Sequence, residues 1–83
     1  MILKMFAVYD SKVGAYMAPF FMQSSGQALR AFIDTAQDKE TQIGKHPEDF
    51  TLFELGEYDD SCASLHQLDV PTSLGVALQL LPV

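Results

Sequence analysis

Residues 46–49 have the most obvious chemical potential in this chain, because His46-Pro47-Glu48-Asp49 places an imidazole beside two carboxylates. Such a group can act as an acid, a base or a metal ligand. The same residues are typical of a helix start, where proline is tolerated and acidic side chains suit the positive end of the helix dipole. No nucleophile with suitable neighbours accompanies them. We therefore interpret the segment as a short helical turn and predict no catalytic residue and no enzymatic activity.

A second acidic group consists of Glu57, Asp59 and Asp60, with His66 further along the chain. Carboxylate oxygens of this kind can hold a hard cation such as Mg²⁺. Ordinary turn chemistry explains the same run, because Asp side chains bond to the backbone in turns. The chain also lacks the Cys and His spacings of zinc sites and a glycine-rich phosphate loop. We expect neither a metal nor another cofactor.

Aromatic and cationic residues in the first part of the chain indicate a third chemistry. Single-stranded nucleic acid is held by aromatic rings, at about 1 to 3 kcal/mol for each stacked base, together with a few cations. The candidate DNA-binding residues are Lys4, Tyr9, Lys12, Tyr16 and Arg30. As an alternative, the aromatic rings fill a small core and the cations offset local acidity. The formal charge of −6 repels phosphate on average, so any DNA binding must be local.

The length of 83 residues indicates one domain, and a chain this short buries only about 60 to 65% of its unfolded surface. Self-association often compensates for the resulting marginal stability, and 48% of the residues are hydrophobic. We therefore expect a homo-oligomer. The candidate interface residues lie in the apolar C-terminal segment and are Leu74, Val76, Leu78, Leu80 and Leu81. No secretion signal or apolar span of about 20 residues is recognisable, so we expect no membrane partner.

Alternating apolar residues predict a first strand over residues 2–9, a turn at 10–14 and a returning strand over 15–22. Pro19 lacks an amide donor, so the second strand should be an edge or carry a bulge there. Ser24 and Gln27 have the spacing of a capping box, which predicts a helix running to about Asp38.

The helix should pack Leu29, Phe32 and Ile33 onto the sheet. Residues 39–46 are predicted to form a loop in which Ile43 turns inward. A third strand is expected over 51–58 and a fourth over 62–68.

In the third strand, alternation places Phe53 and Leu55 on one face and Leu52 and Tyr58 on the other. Residues 70–83 are consistent with either a C-terminal arm or a short helix. The predicted fold is α+β, with one domain over residues 1–83. It is an antiparallel sheet of about four strands in the order ββαββ, with one helix packed on one face.

Several short sequence motifs occur in a fixed order along the chain. They are Val8-Tyr9-Asp10-Ser11-Lys12, Tyr16 with Pro19-Phe20, Ala28-x-Arg30-x-Phe32, His46-Pro47-Glu48-Asp49-Phe50 with Leu52-Phe53, and Gly56-x-Tyr58-Asp59-Asp60. Together they resemble the small non-structural protein of microviruses, tailless phages with circular single-stranded DNA genomes, and particularly its gokushovirus branch. The resemblance covers roughly residues 6–60 and includes Tyr9, Lys12, Tyr16 and Arg30 as positions of the family pattern.

The resemblance implies an accessory role in genome replication, or in the switch from replication to packaging, in the cytoplasm of the bacterial host. Single-stranded DNA is the partner that this family description implies. The alternative is an oligomeric protein-interaction module that contacts phage or host replication proteins or the capsid without binding DNA. The acidic charge favours this alternative, whereas the resemblance favours weak DNA binding.

Overall fold

The computed structural model describes residues 1–82, and Val83, the last residue of the predicted arm or helix over 70–83, lies outside the described residues. The fold is α+β, as predicted, with an antiparallel sheet and helices on one face. Its elements are β1 (Ile2–Asp10), β2 (Ala15–Tyr16), β3 (Phe20–Met22), α1 (Ser25–Gln37), α2 (Gln42–Lys45), a 3₁₀ turn (Pro47–Asp49), β4 (Phe50–Asp59), β5 (Ser64–Val76) and α3 (Ala77–Leu80).

The second predicted strand is divided into β2 and β3, which both pair with β1 and form one edge of the sheet. The ladder is interrupted at residues 17–19, where Pro19 has no amide to donate. Pairing resumes where Phe20 lies opposite Phe6. On its other side β1 pairs with β4, and β5 forms the opposite edge. The predicted edge position of Pro19 is therefore confirmed.

Helix α1 begins where the capping-box spacing predicts. The Ser24 hydroxyl accepts a hydrogen bond from the backbone N–H of Gln27 at 3.2 Å. Its buried residues recur every four positions and are Ala28, Phe32 and Ala36. Leu29 is partly buried against the same core, and Ile33 is half-buried. No helix in residues 1–82 has both the length and the apolar character needed to cross a membrane.

The core lies between α1 and one face of the sheet. The sheet contributes Phe6 and Val8 from β1 and Phe50 and Leu52 from β4. Phe6 and Leu52 are the largest side chains that are fully buried. The short helices close the core with Ile43 and Ala77, so all three helices pack on the same side of the sheet.

The predicted loop over residues 39–46 contains α2, so that prediction is wrong. The helix is capped by Thr41, whose hydroxyl accepts a hydrogen bond from the N–H of Gly44 at 3.0 Å and donates one to the carbonyl of Thr35. A Cβ atom at Gly44 would lie 1.9 Å from the Asp38 carbonyl oxygen, so only glycine permits this close approach. Ile43 is buried, as predicted.

A bulge in β4 changes the face on which Tyr58 lies. Phe6 pairs with Glu54 and Met5 pairs with Gly56, which leaves Leu55 as an extra residue. Strand residues alternate between faces, so one extra residue moves Tyr58 onto the face of Phe53. The predicted grouping of Tyr58 with Leu52 is therefore wrong.

Strand β5 is longer than the predicted strand over 62–68 and ends at Val76, where α3 begins. Gln67 pairs with Gly56 and Thr72 pairs with Glu54, so residues 68–71 lie opposite the single residue Leu55. The segment 70–82 thus includes both extended chain and a short helix. Of the predicted interface residues, Leu74, Leu80 and Leu81 pack against the core, Val76 is half-buried and Leu78 is 54% exposed.

We predict that Phe32→Ala lowers the free energy of unfolding by about 3 to 5 kcal/mol, because the ring is 3% exposed in the core. Denaturant unfolding measures this change. Asp34→Ala, on the exposed side of the same helix, is the matched control and should change stability by less than about 0.5 kcal/mol. Equal effects of the two substitutions would contradict the packing of α1 on the sheet.

Candidate functional site

The face of the sheet opposite the helices has no covering element among residues 1–82. We call it the open face and define it by residues that share one side of the paired strands. These residues are Leu3, Met5, Ala7, Tyr9, Tyr16, Phe21, Thr51, Phe53, Gly56, Tyr58, Leu65, Gln67, Ser73 and Val76. They are mainly apolar and aromatic, and none of them carries a charge.

Three aromatic rings form a cluster at one end of the open face. Tyr9 pairs with Tyr16 across β1 and β2, and their ring centroids are 4.9 Å apart. The ring of Phe53 on β4 lies 5.6 Å from Tyr16 and 6.3 Å from Tyr9, in edge-to-face geometry. These distances are typical of favourable aromatic contacts. We call these three residues the aromatic trio, and Tyr16 is its most exposed member, at 47%.

A second aromatic contact lies further along the open face. Phe21 on β3 and Tyr58 on β4 have ring centroids 5.6 Å apart. Their pairing partners on β1 are Met5 and Leu3, so the two rings meet across β1. Phe21 is 43% exposed. The open face therefore offers two separate aromatic surfaces along the direction of β1.

The structure separates the five candidate DNA-binding residues. Tyr9 and Tyr16 lie together in the aromatic trio. Lys4 lies on the helix side of the sheet, where its ammonium is 3.9 Å from a carboxylate oxygen of Glu54. Lys12 is exposed in the turn between β1 and β2, close in sequence to Tyr9. Arg30 is exposed on α1 and shares a shallow cavity with Phe21 at the β3 edge.

The segment His46-Pro47-Glu48-Asp49 forms the short helical turn that its sequence predicts. The ligand atoms of His46, Glu48 and Asp49 lie within 4.8 Å of one another, so this group has the geometry to approach one hard cation. The backbone accounts for the same arrangement, because the N–H of Asp49 donates to the carbonyl of His46 at 3.0 Å and the Asp49 carbonyl accepts from Ser11. The turn thus links β4 to the first hairpin.

A model of the family described as Phage ORF5 protein matches residues 3–80 of the chain. The chain belongs to this family. It is therefore a phage protein, as the sequence resemblance indicated. The searches of curated proteins and of solved structures found no match.

In this Phage ORF5 family member, three aromatic residues of the open face were absent from the candidate DNA-binding set. Phe53 and Phe21 are placed there by their pairing with Ala7 and Met5. Tyr58 reaches the face only through the bulge at Leu55. Alternation along β4 signals the position of Phe53, whereas the sequence contains no direct signal for the shifted position of Tyr58.

The tip of the β4–β5 hairpin is held by hydrogen bonds to Asp59. Its carboxylate accepts hydrogen bonds from the hydroxyl of Ser61 at 2.6 Å and from the Ser61 N–H at 3.0 Å. These bonds hold the pKa of Asp59 below its usual value. The N-terminal ammonium of Met1 contacts Asp60 at 2.7 Å, and this hydrogen bond raises the pKa of the ammonium.

We predict that Ser61→Ala raises the pKa of Asp59 toward its usual value, because both the hydroxyl bond and the ordered turn favour the ionised carboxylate. Carboxyl carbon shifts in an NMR titration measure this pKa. The lowered pKa stabilises the folded hairpin above the unfolded pKa of about 3.9, and this stabilisation is lost as the pH falls through the folded pKa. Ser73→Ala, on β5, is the control and should leave the Asp59 titration unchanged.

Proposed function

We propose that this phage protein is a non-enzymatic accessory factor that binds single-stranded DNA weakly through its open face. Its resemblance to the gokushovirus-like non-structural protein suggests that binding serves genome replication or packaging in the bacterial cytoplasm. The observation that supports the proposal is the aromatic trio on an uncovered, uncharged sheet face. Stacking of bases on such rings contributes about 1 to 3 kcal/mol for each base without requiring a basic protein.

The protein is acidic, and its carboxylates repel DNA phosphates. The position of these carboxylates makes the repulsion weaker at the open face. The paired positions of the open face carry neither Asp nor Glu. The carboxylates of the paired strands therefore lie on the helix side, from which solvent and salt screen their repulsion over about 8 to 10 Å. A strand on the open face would meet uncharged rings first. Stacking needs unpaired bases, so a single strand should bind better than a duplex.

Two cations are positioned to contact phosphates beside the open face. Lys12 follows Tyr9 at the end of β1, and Arg30 lies near Phe21 at the β3 edge. Lys12 also lines a cavity with Asp10 and Asp49, so a phosphate contact there would compete with these carboxylates. Lys4 is on the other face of the sheet and is engaged with Glu54, so the proposed surface does not use it.

We predict that the double variant Lys12→Glu with Arg30→Glu lowers the affinity for a labelled single strand by about tenfold, because reversing each of two phosphate contacts costs part of the electrostatic attraction. The matched control is Lys39→Glu with Lys45→Glu, which changes the net charge equally. Both control lysines are exposed and line a cavity with Ala36 and Pro47, outside the open face. Fluorescence anisotropy at low salt measures the affinities.

Tyr16→Ser tests the stacking contribution separately and should weaken binding by about fivefold or more. Affinity of the unaltered protein should fall as salt rises. Equal affinities for the two double variants would contradict the proposed surface. Binding that is as tight to a duplex as to a single strand would contradict stacking.

A protein-interaction role is the second candidate, and the uncharged open face also favours it. Contiguous exposed apolar surface marks contact sites between proteins, and Tyr16 and Phe21 are both nearly half exposed. The oligomer proposed from the sequence would use Leu78, the exposed member of the C-terminal set, or exchange the whole segment between chains. Capsid or replication proteins are the partners proposed for such an assembly.

We predict that light scattering at micromolar concentration gives a mass above that of the monomer, because a chain of 83 residues with this apolar surface gains stability by association. Leu78→Asp should lower the mass if the C-terminal segment forms the interface. If Phe21→Asp lowers it instead, the interface lies on the open face. A monomer mass for the unaltered protein would end the oligomer proposal.

A further inference from the structure

The net charge of the protein is divided unevenly along the chain. All five Lys and Arg residues lie within residues 1–45, together with four carboxylates. The other seven carboxylates lie within residues 46–83, which contain no Lys or Arg. The first part therefore has a formal charge of +1 and the second part a charge of −7. The −7 part includes the hairpin of β4 and β5.

The helix side of this hairpin is left partly uncovered. Helix α1 reaches it with its first residue, where the Ser25 hydroxyl donates a hydrogen bond to Glu54 at 2.9 Å. Beyond that contact, the uncovered sheet surface forms a cleft of about 630 Å³. We call it the hairpin cleft, and its lining residues include Ile2, Glu54, Glu57, Asp59, His66 and Leu68.

The hairpin cleft combines apolar contact area with a carboxylate, that of Glu57, that has no cationic partner among residues 1–82. Ile2 is 56% exposed and Leu68 is 38% exposed, so neither side chain is fully used by the core. Glu57 is exposed and forms no ion pair within residues 1–82. Two cations approach this surface: the Lys4 ammonium lies 3.9 Å from Glu54, and the Met1 ammonium pairs with Asp60, next to Asp59. Neither of them pairs with Glu57. The surface is therefore suited to a ligand that brings both positive charge and apolar groups.

We propose that the hairpin cleft binds an extended segment of another protein in which Lys or Arg alternates with apolar residues. Charge complementarity identifies this partner: its cations would approach Glu57 and Asp59, and its apolar side chains would contact Ile2 and Leu68. A nucleic-acid strand is repelled by the carboxylates. A second copy of this chain would bring another acidic hairpin, with its own charge of −7, close to the first.

The hairpin cleft lies on the opposite side of the sheet from the aromatic trio, since Glu57 pairs with Lys4 on the helix side. Strand residues on one side of a sheet do not reach ligands on the other. The proposed peptide site is therefore independent of the proposed DNA site. Failure of either one leaves the other intact.

The test uses a labelled peptide of about ten residues in which Arg and Val alternate, a length that matches an ordinary strand. The control peptide carries neutral citrulline in place of each Arg. Anisotropy with the full chain measures binding at low and at physiological salt. The single cysteine, Cys62, is exposed and lines the same cleft, so a fluorophore attached to it reports whether the peptide occupies that position.

We expect the Arg peptide to bind and the citrulline peptide to bind at least about tenfold more weakly. Citrulline has nearly the same shape as Arg but no positive charge, so it loses the electrostatic attraction to the carboxylates. Glu57→Lys should weaken the Arg peptide by about tenfold or more. Glu40→Lys makes the same charge change at an exposed residue outside the cleft and should have an effect of less than about threefold. If Glu57→Lys does not fold, Glu57→Gln takes its place, because it is a milder change opposite Lys4. Glu57→Gln should weaken binding of the Arg peptide by about threefold.

Three outcomes would overturn the proposal. The first is equal weakening by Glu57→Lys and Glu40→Lys, which indicates general attraction to an acidic protein. The second is an unchanged signal from the Cys62 fluorophore when the peptide is bound. The third is a dimer of the unaltered protein that Glu57→Lys dissociates, which would assign the cleft to a second copy of this chain.

Discussion

Packing of α1 against Phe6 and Leu52 is the interaction on which the rest of this structure depends. The buried residues of the two short helices join the same core, so the buried residues of all three helices lie on one side of the sheet. Residues 1–82 contain no second helix of comparable length to cover the other side. The sheet must therefore expose one complete face and the end of its longest hairpin. Both proposed binding surfaces follow from this one-sided burial, the first on the bare face and the second where the sheet extends past α1.

The elements that depend on neighbouring residues could be predicted from the sequence. The Ser24 and Gln27 spacing located the start of α1, and Pro19 marked an interrupted edge, because both signals act through local backbone hydrogen bonds. The cap of α2 was not predicted because it depends on residues of another segment. The Thr41 hydroxyl donates a hydrogen bond to the Thr35 carbonyl, and the close approach of the Asp38 carbonyl leaves no room for a Cβ atom at Gly44. The bulge beside Gly56 could not be predicted from the sequence either. A Cβ atom there would lie 2.0 Å from the His66 carbonyl oxygen, a contact between residues that only the folded hairpin brings together.

The candidate site was predictable to the extent that it depends on the first hairpin. Tyr9 and Tyr16 meet because the turn between β1 and β2 sets their register. Lys4 was grouped with them by proximity in sequence, yet the two-residue period of β1 places it on the other side. Phe53 and Tyr58 come from β4, which begins at Phe50, far along the chain from β2, which ends at Tyr16, so their contribution depends on long-range pairing. Net charge was informative about the whole molecule, but its division between two faces required the topology of the sheet.

Residues 68–71 have a further consequence for how the protein behaves at high concentration. Strand β5 is thirteen residues long and forms an open edge, which would ordinarily act as a template for other chains. The four residues opposite Leu55 interrupt that edge, and they include Asp69, which carries charge, and Pro71, which has no amide hydrogen to donate. The remaining runs, residues 64–67 and 72–76, are each shorter than the segments of six or seven residues that seed amyloid-like stacking. The irregularity thus leaves no uninterrupted paired run on this edge that is long enough to seed fibrillar stacking.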